Sequence, residues 1–154
     1  MLHNMKLYNE PFDMIKSGVK TIELRLYDEK RRLIKIGDLI EFKNIDTEEL
    51  LYTKVINIYV YKSFGELYTN FSKSSLGYKN DEIADPKDME LYYSISDIEK
   101  YGVVAIKLKV IDKLEYLYEI DKERRINNTV ELLRDFADEN MADKEKDEFI
   151  KRIK

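Results

Sequence analysis

Lys20, Glu23 and Arg25 stand close together in the stretch Gly18-Val19-Lys20-Thr21-Ile22-Glu23-Leu24-Arg25. A lysine donates hydrogen bonds as an ammonium, or serves as base or nucleophile as a neutral amine. A glutamate accepts protons, and an arginine clamps carboxylates or phosphates with a planar fork. Residues 20–27, KTIELRLY, alternate strictly. Ile22, Leu24 and Leu26 point one way, and Thr21, Glu23 and Arg25 the other, which predicts a half-buried strand. If the polar side faces water, the charges form a solvated face, the simpler reading of the pattern alone. If it faces a cleft, Glu23 and Arg25 pair beside Lys20 near the strand entrance. Such a partly desolvated cluster is costly to build and often marks binding or catalysis.

Within a cleft, two divisions of labour are open. With Glu23 as base, Lys20 and Arg25 clamp a developing oxyanion or a phosphate. With Lys20 as base or nucleophile, burial favours the neutral amine and Glu23 favours the ammonium. Lys30, Arg31, Arg32 and Lys35 form a local basic cluster able to track a phosphate backbone, although Asp28 and Glu29 offset it. Tyr92, Tyr93 and Tyr101 offer rings on which a base could stack, at ~1–3 kcal/mol per base. Packing of the domain rim is the simpler role for them. The one histidine, His3, has acid–base chemistry tuned near neutrality, but a lone histidine is more often just hydrogen-bonded or exposed.

Composition narrows the chemistry. The 154 residues contain no cysteine and one histidine, which excludes thiolate zinc sites, iron–sulfur clusters, cysteine nucleophiles and multi-histidine metal sites. No metal and no cofactor are expected. No run of apolar residues is long enough to span a membrane, and residues 1–12 have no long apolar core of a secretory signal. A cytoplasmic protein with no membrane partner is the natural reading. The net charge of −4 counts against a strongly basic nucleic-acid binder. The charge is uneven, however. Residues 115–154 hold 12 acidic and 9 basic side chains, so the rest is nearly neutral and has room for a local basic patch.

The elements that must position these residues read as follows. Met5–Tyr8 is a short strand. A helix starts at Asn9-Glu10-Pro11, with a Phe12, Ile15, Val19 stripe, and ends at Ser17-Gly18. The alternating strand comes next, then a charged turn, a short extended piece at Leu33–Ile36, and a strand at Leu39–Phe42. Leu50–Tyr61 is the strongest strand, rich in β-branched and aromatic residues. Ser63 caps a helix with Glu66 three residues on. Residues 73–86 are loop. Short helices follow at Asp88–Tyr93 and at Ser96–Lys100, with Ser96 as cap, and Val103–Val110 is the final strand. Two appended helices are expected in the tail, at 128–138 and 143–154.

The run Gly18-x-Lys20-Thr21-x-Glu23-x-Arg25 resembles the G-x-K-x-x-E-x-R signature of the ASCH domain family. The flanks agree: His3-x-Met5-x-Leu7 with Glu10-Pro11-Phe12, Asp28–Arg32, Gly37–Phe42 and Tyr101–Ile106. The resemblance covers residues 3–110. It implies an α+β, PUA-like fold, a small bent β-barrel with flanking helices. The expected organisation is an ASCH domain over 1–112 and a C-terminal helical extension over 113–154. The resemblance also implies an RNA- or nucleotide-binding cleft lined by the signature, with Gly18, Thr21, Arg25, Lys30, Arg31, Arg32 and Tyr93 as binding candidates and Lys20 and Glu23 as catalytic ones.

Two branches of that family are enzymes, one an amidohydrolase on N4-acylated cytosine nucleosides and the other a ribonuclease. The catalytic lysine of the amidohydrolase falls on Lys20, and its threonine partner on Glu23. Its catalytic glutamate has two candidates, Glu90 and Glu99. A hydroxyl donates to substrate where an ionised carboxylate cannot, so the resemblance favours binding over amide hydrolysis. The tail lies outside the resemblance. Its stripe of Val130, Leu133 and Phe136 must be buried somewhere, in helix packing or in a protein partner or homodimer contact.

Overall fold

The computed structural model describes residues 1–153. Five strands form one curled mixed sheet in the order β1-β3-β4-β5-β2. They are β1 (Leu2–Leu7), β2 (Ile22–Leu26), β3 (Leu39–Asn44), β4 (Leu50–Tyr61) and β5 (Val103–Ile111). β1 pairs in parallel with β3, and the other neighbours are antiparallel. β4 is long enough to serve two neighbours, and a register shift between Val55 and Asn57 bends it.

Helix α1 (Asn9–Lys16) carries Pro11 in its first turn, where no backbone donor is needed. Phe12 and Ile15 are fully buried against Ile40, Phe42 and Ile106. Each such burial contributes about 1.5–3 kcal/mol. Val19 falls beyond the helix and is half exposed, so the expected stripe has two members rather than three. Gly18 ends the helix at φ +82°, donating its amide to the Ile15 carbonyl at 3.0 Å.

The other face of the sheet is covered by α2 (Phe64–Thr69), by residues 71–93 and by α3 (Ile95–Tyr101). The Ser63 hydroxyl caps α2 by accepting from the Glu66 amide, as its spacing predicts. Because both faces are covered near β2 and β5, Val103, Val104, Ala105 and Ile106 are all buried in succession. The same enclosure overturns the solvated-face reading of β2. Glu23 sits opposite Ile106 and is only 4% exposed.

Three local expectations also change. Leu33–Ile36 is no strand: a 3-10 turn occupies Arg31–Leu33, and Ile34 drops into the core. Ser94 rather than Ser96 caps α3, accepting from the Asp97 amide, because the helix starts at Ile95, one residue earlier than expected. The helix at Asp88–Tyr93 is a 3-10 segment over Pro86–Leu91, started by the Asp85 side chain accepting from the Lys87 amide.

The backbone divides into two compact units, Met1–Lys113 and Leu114–Lys154. The second holds most of α4 (Lys113–Asn140) and all of α5 (Asp143–Ile153). α4 is much longer than the 128–138 expected. The charged run 121–125 consists mostly of good helix formers, and Asp121 pairs with Arg125 one turn on at 2.8 Å. Ala137 is fully buried, and Lys146 of α5 forms an ion pair with Asp138 of α4. No helix among the described residues is long and apolar enough to cross a membrane.

Candidate functional site

A cavity of about 350 Å³ opens between the β1–α1 corner, β2 and the segment 76–93. Its floor is the charged side of β2. Lys20 and Glu23 are buried, at 8% and 4% exposure. Arg25 Nε donates to Glu23 Oε1 at 2.8 Å, and Arg25 Nη2 donates to the Lys6 carbonyl at 3.1 Å. Lys20 Nζ lies 3.5 Å from Glu23 Oε2 and donates to the Leu76 carbonyl at 3.3 Å. Both Lys20 contacts are long, so the ammonium keeps donor capacity for a third group.

Glu23 Oε2 is buried without a hydrogen bond. The Lys20 ammonium at 3.5 Å compensates its charge in part, at a distance too long for a good hydrogen bond. Burial opposes the Arg25 charge, but Glu23 and then Tyr93 outweigh it and hold the guanidinium above its ordinary value.

The local fold explains this convergence. Ser75 accepts from both the Thr21 and Ile22 amides, which staples the 72–78 loop to the start of β2. Gly77, at φ +100°, then lies over the Lys20 side chain. A Cβ there would come within 2.9 Å of Lys20 Cδ. Nothing in the sequence pattern marks Gly77 or Leu76 as part of the site, because loop residues carry no periodicity.

The walls are aromatic. Tyr8, Tyr68, Tyr78, Tyr92 and Tyr93 all line the cavity. Tyr93 stacks on Phe64 with centroids 6.0 Å apart and faces Arg25. Its hydroxyl is pushed up, first by burial, with Glu23 adding to the shift against Arg25 and Arg31. Tyr92 is 63% exposed and presents a free ring at the mouth. Tyr68 and Tyr78 share a hydrogen bond at 2.9 Å, and Tyr78 Oη donates to Asp88 Oδ2 at 2.8 Å.

Of the residues singled out from sequence, Lys20, Glu23, Arg25, Tyr92 and Tyr93 meet in the cavity. Gly18 and Thr21 line a separate apolar hollow between the end of α1 and β5. Lys30, Arg31 and Arg32 lie outside the cavity lining. Arg31 pairs with Asp28 at 2.9 Å, and Arg32 sits over the Tyr27 ring at 4.3 Å. Arg31 is still close enough to act electrostatically on Tyr93. Glu90 and Glu99 are exposed and neither lines the cavity. His3 lies elsewhere, paired with Asp38 at 2.8 Å. Among the described residues, no three His, Asp or Glu side chains are placed to hold a metal ion.

A curled mixed sheet flanked by helices carries the charged strand that floors the cleft. The chain belongs to the ASCH domain family, whose model matches residues 5–112. Among solved structures, hypothetical protein PH0355 is 36% identical, with 72% of this chain and all of that one covered, at a TM-score of 0.62. Protein PF0455 from Pyrococcus furiosus is 35% identical over 73% of this chain and 99% of that one, at a TM-score of 0.55. No curated protein matches. The fold gives the signature a physical reading. Its glycine ends α1, and its lysine, glutamate and arginine form the floor.

Proposed function

We propose that the cleft binds one nucleoside unit, free or within an RNA strand. The observation that carries this reading is Glu23 Oε2, a buried acceptor without a hydrogen bond, beside an under-used ammonium in a tyrosine-walled cavity. The volume is at the small end of ligand sites, enough for one heterocycle and its sugar. A strand leaving the cavity on the Tyr93 side would pass Arg31, which gives RNA an extra cationic contact.

The test is fluorescence anisotropy of labelled single-stranded RNA at low and raised salt. Binding is expected to weaken with salt. Lys20→Ala should lower affinity at least tenfold, and Arg31→Ala should lower it about threefold. No binding at low salt would remove the reading. A hydrolase reading rests on the free donor capacity of Lys20. Turnover of N4-acetylcytidine that disappears in Lys20→Ala, with the fold intact, would establish it in place of simple binding.

A further inference from the structure

The polar groups facing the cleft are unequal in kind. Arg25 is committed to Glu23 and to the Lys6 carbonyl, which leaves Lys20 as the main free donor at the floor. Three carboxylates keep acceptor capacity. Glu23 Oε2 has no hydrogen bond, with the Lys20 ammonium 3.5 Å away. Asp88 has its Oδ2 fixed by the Tyr78 hydroxyl at 2.8 Å, which leaves Oδ1 for another donor. Glu82 uses only Oε2, on the Lys79 amide. Glu23, Glu82 and Asp88 all line the cavity.

Asp88 is also held in place. A hydroxyl has one proton, and that of Tyr78 serves Asp88 Oδ2 at 2.8 Å, with the Asp85 carbonyl a longer acceptor at 3.3 Å, so Tyr68 must donate to Tyr78. The carboxylate therefore sits at the end of a directed chain, with Tyr92 nearby on the same segment to stack a flat ring. Burial raises the Tyr68 and Tyr78 hydroxyls first, and the Asp88 charge adds to both shifts.

Resting on the nucleoside reading, we propose that the cleft selects heterocycles with an exocyclic amine over those with a keto oxygen in its place, and that Asp88 reads the amine. An amino group donates to the free Asp88 oxygen. A keto oxygen at the same position sets acceptor against acceptor: Asp88 is exposed and stays hydrated, so the discrimination comes from the charge-assisted hydrogen bond that is lost and the repulsion that replaces it. Lys20 at the floor supplies the complementary donor for a ring nitrogen or carbonyl.

Matched pairs test this. Calorimetric titration of the full chain with cytidine against uridine, and with adenosine against inosine, should give the amino member at least fivefold tighter in each pair. Asp88→Asn keeps an acceptor for Tyr78 while adding a donor toward the ligand. It should bring both ratios below twofold without altering the amide proton–nitrogen spectrum outside the cleft. Should that variant not fold, the unaltered chain still decides: ratios near one, or a keto preference, overturn the proposal. A preference that survives Asp88→Asn overturns the role of Asp88. Phosphate-dependent or RNA binding without amino preference removes this proposal and leaves the nucleoside reading standing. Failure of every nucleoside and of RNA to bind removes both.

Discussion

Glu23 holds two cations in a place with little water, and that makes it the residue most sensitive to removal. Glu23→Ala leaves Lys20 and Arg25 facing each other without a counter-charge. The expected loss is about 3–5 kcal/mol, measured by urea unfolding. Asp38 tests a different balance. Burial works against its charge, but His3, the Lys35 amide and the terminal ammonium hold its carboxyl below the usual carboxylate range. Its contribution is therefore present above the unfolded carboxylate value near ~3.9 and fades as pH falls through the lower folded value. Asp38→Asn should lower the melting temperature by roughly 4–8 °C at neutral pH, and by less in strong acid. At this scale the sequence was only half readable. Spacing brought out Lys20, Glu23 and Arg25 as a group. Whether Glu23 met water or a cleft depended on a loop fifty residues away in the chain, which no pattern within β2 encodes.

Elements with strong periodicity were legible. β4 runs over Leu50–Tyr61 as expected, and the Ser63 cap fixes α2. The segment 71–93 was not, although it builds one wall of the cleft. It has no repeat to read, and its fixed points are single contacts, such as Ser75 to the β2 amides and Tyr78 to Asp88. The α3–β5 junction offers a clean test at this scale. Gly102 sits at φ +69°, and a Cβ would stand 2.9 Å from the Tyr61 carbonyl, a backbone atom that cannot step aside cheaply. Gly102→Ala should cost on the order of 2–3 kcal/mol, seen as a lower urea midpoint with an unchanged slope.

For the whole molecule, the two units lead to an expectation about independence. Every group that shapes the cleft lies within Met1–Lys113. A chain ending at residue 113 should fold, keep its amide spectrum for the sheet, and bind a nucleoside within about twofold of the full-length affinity. A larger loss would assign residues 114–154 a share in the site. The length of α4 was hidden from sequence because its first half carries charge on every side, and helix propensity rather than an apolar stripe builds it. The strand order has a consequence in time. β1 and β2 are the first two strands in the chain, yet they occupy opposite edges of the sheet. β1 needs β3 as its template, and β2 needs β5, which begins at residue 103. During synthesis β1 has its template once residue 44 is made, whereas β2 must wait for most of the domain before it has a partner. The Lys20–Glu23–Arg25 floor rides on β2. Its charges stay hydrated through most of translation, and their desolvation is deferred to the closing step of folding.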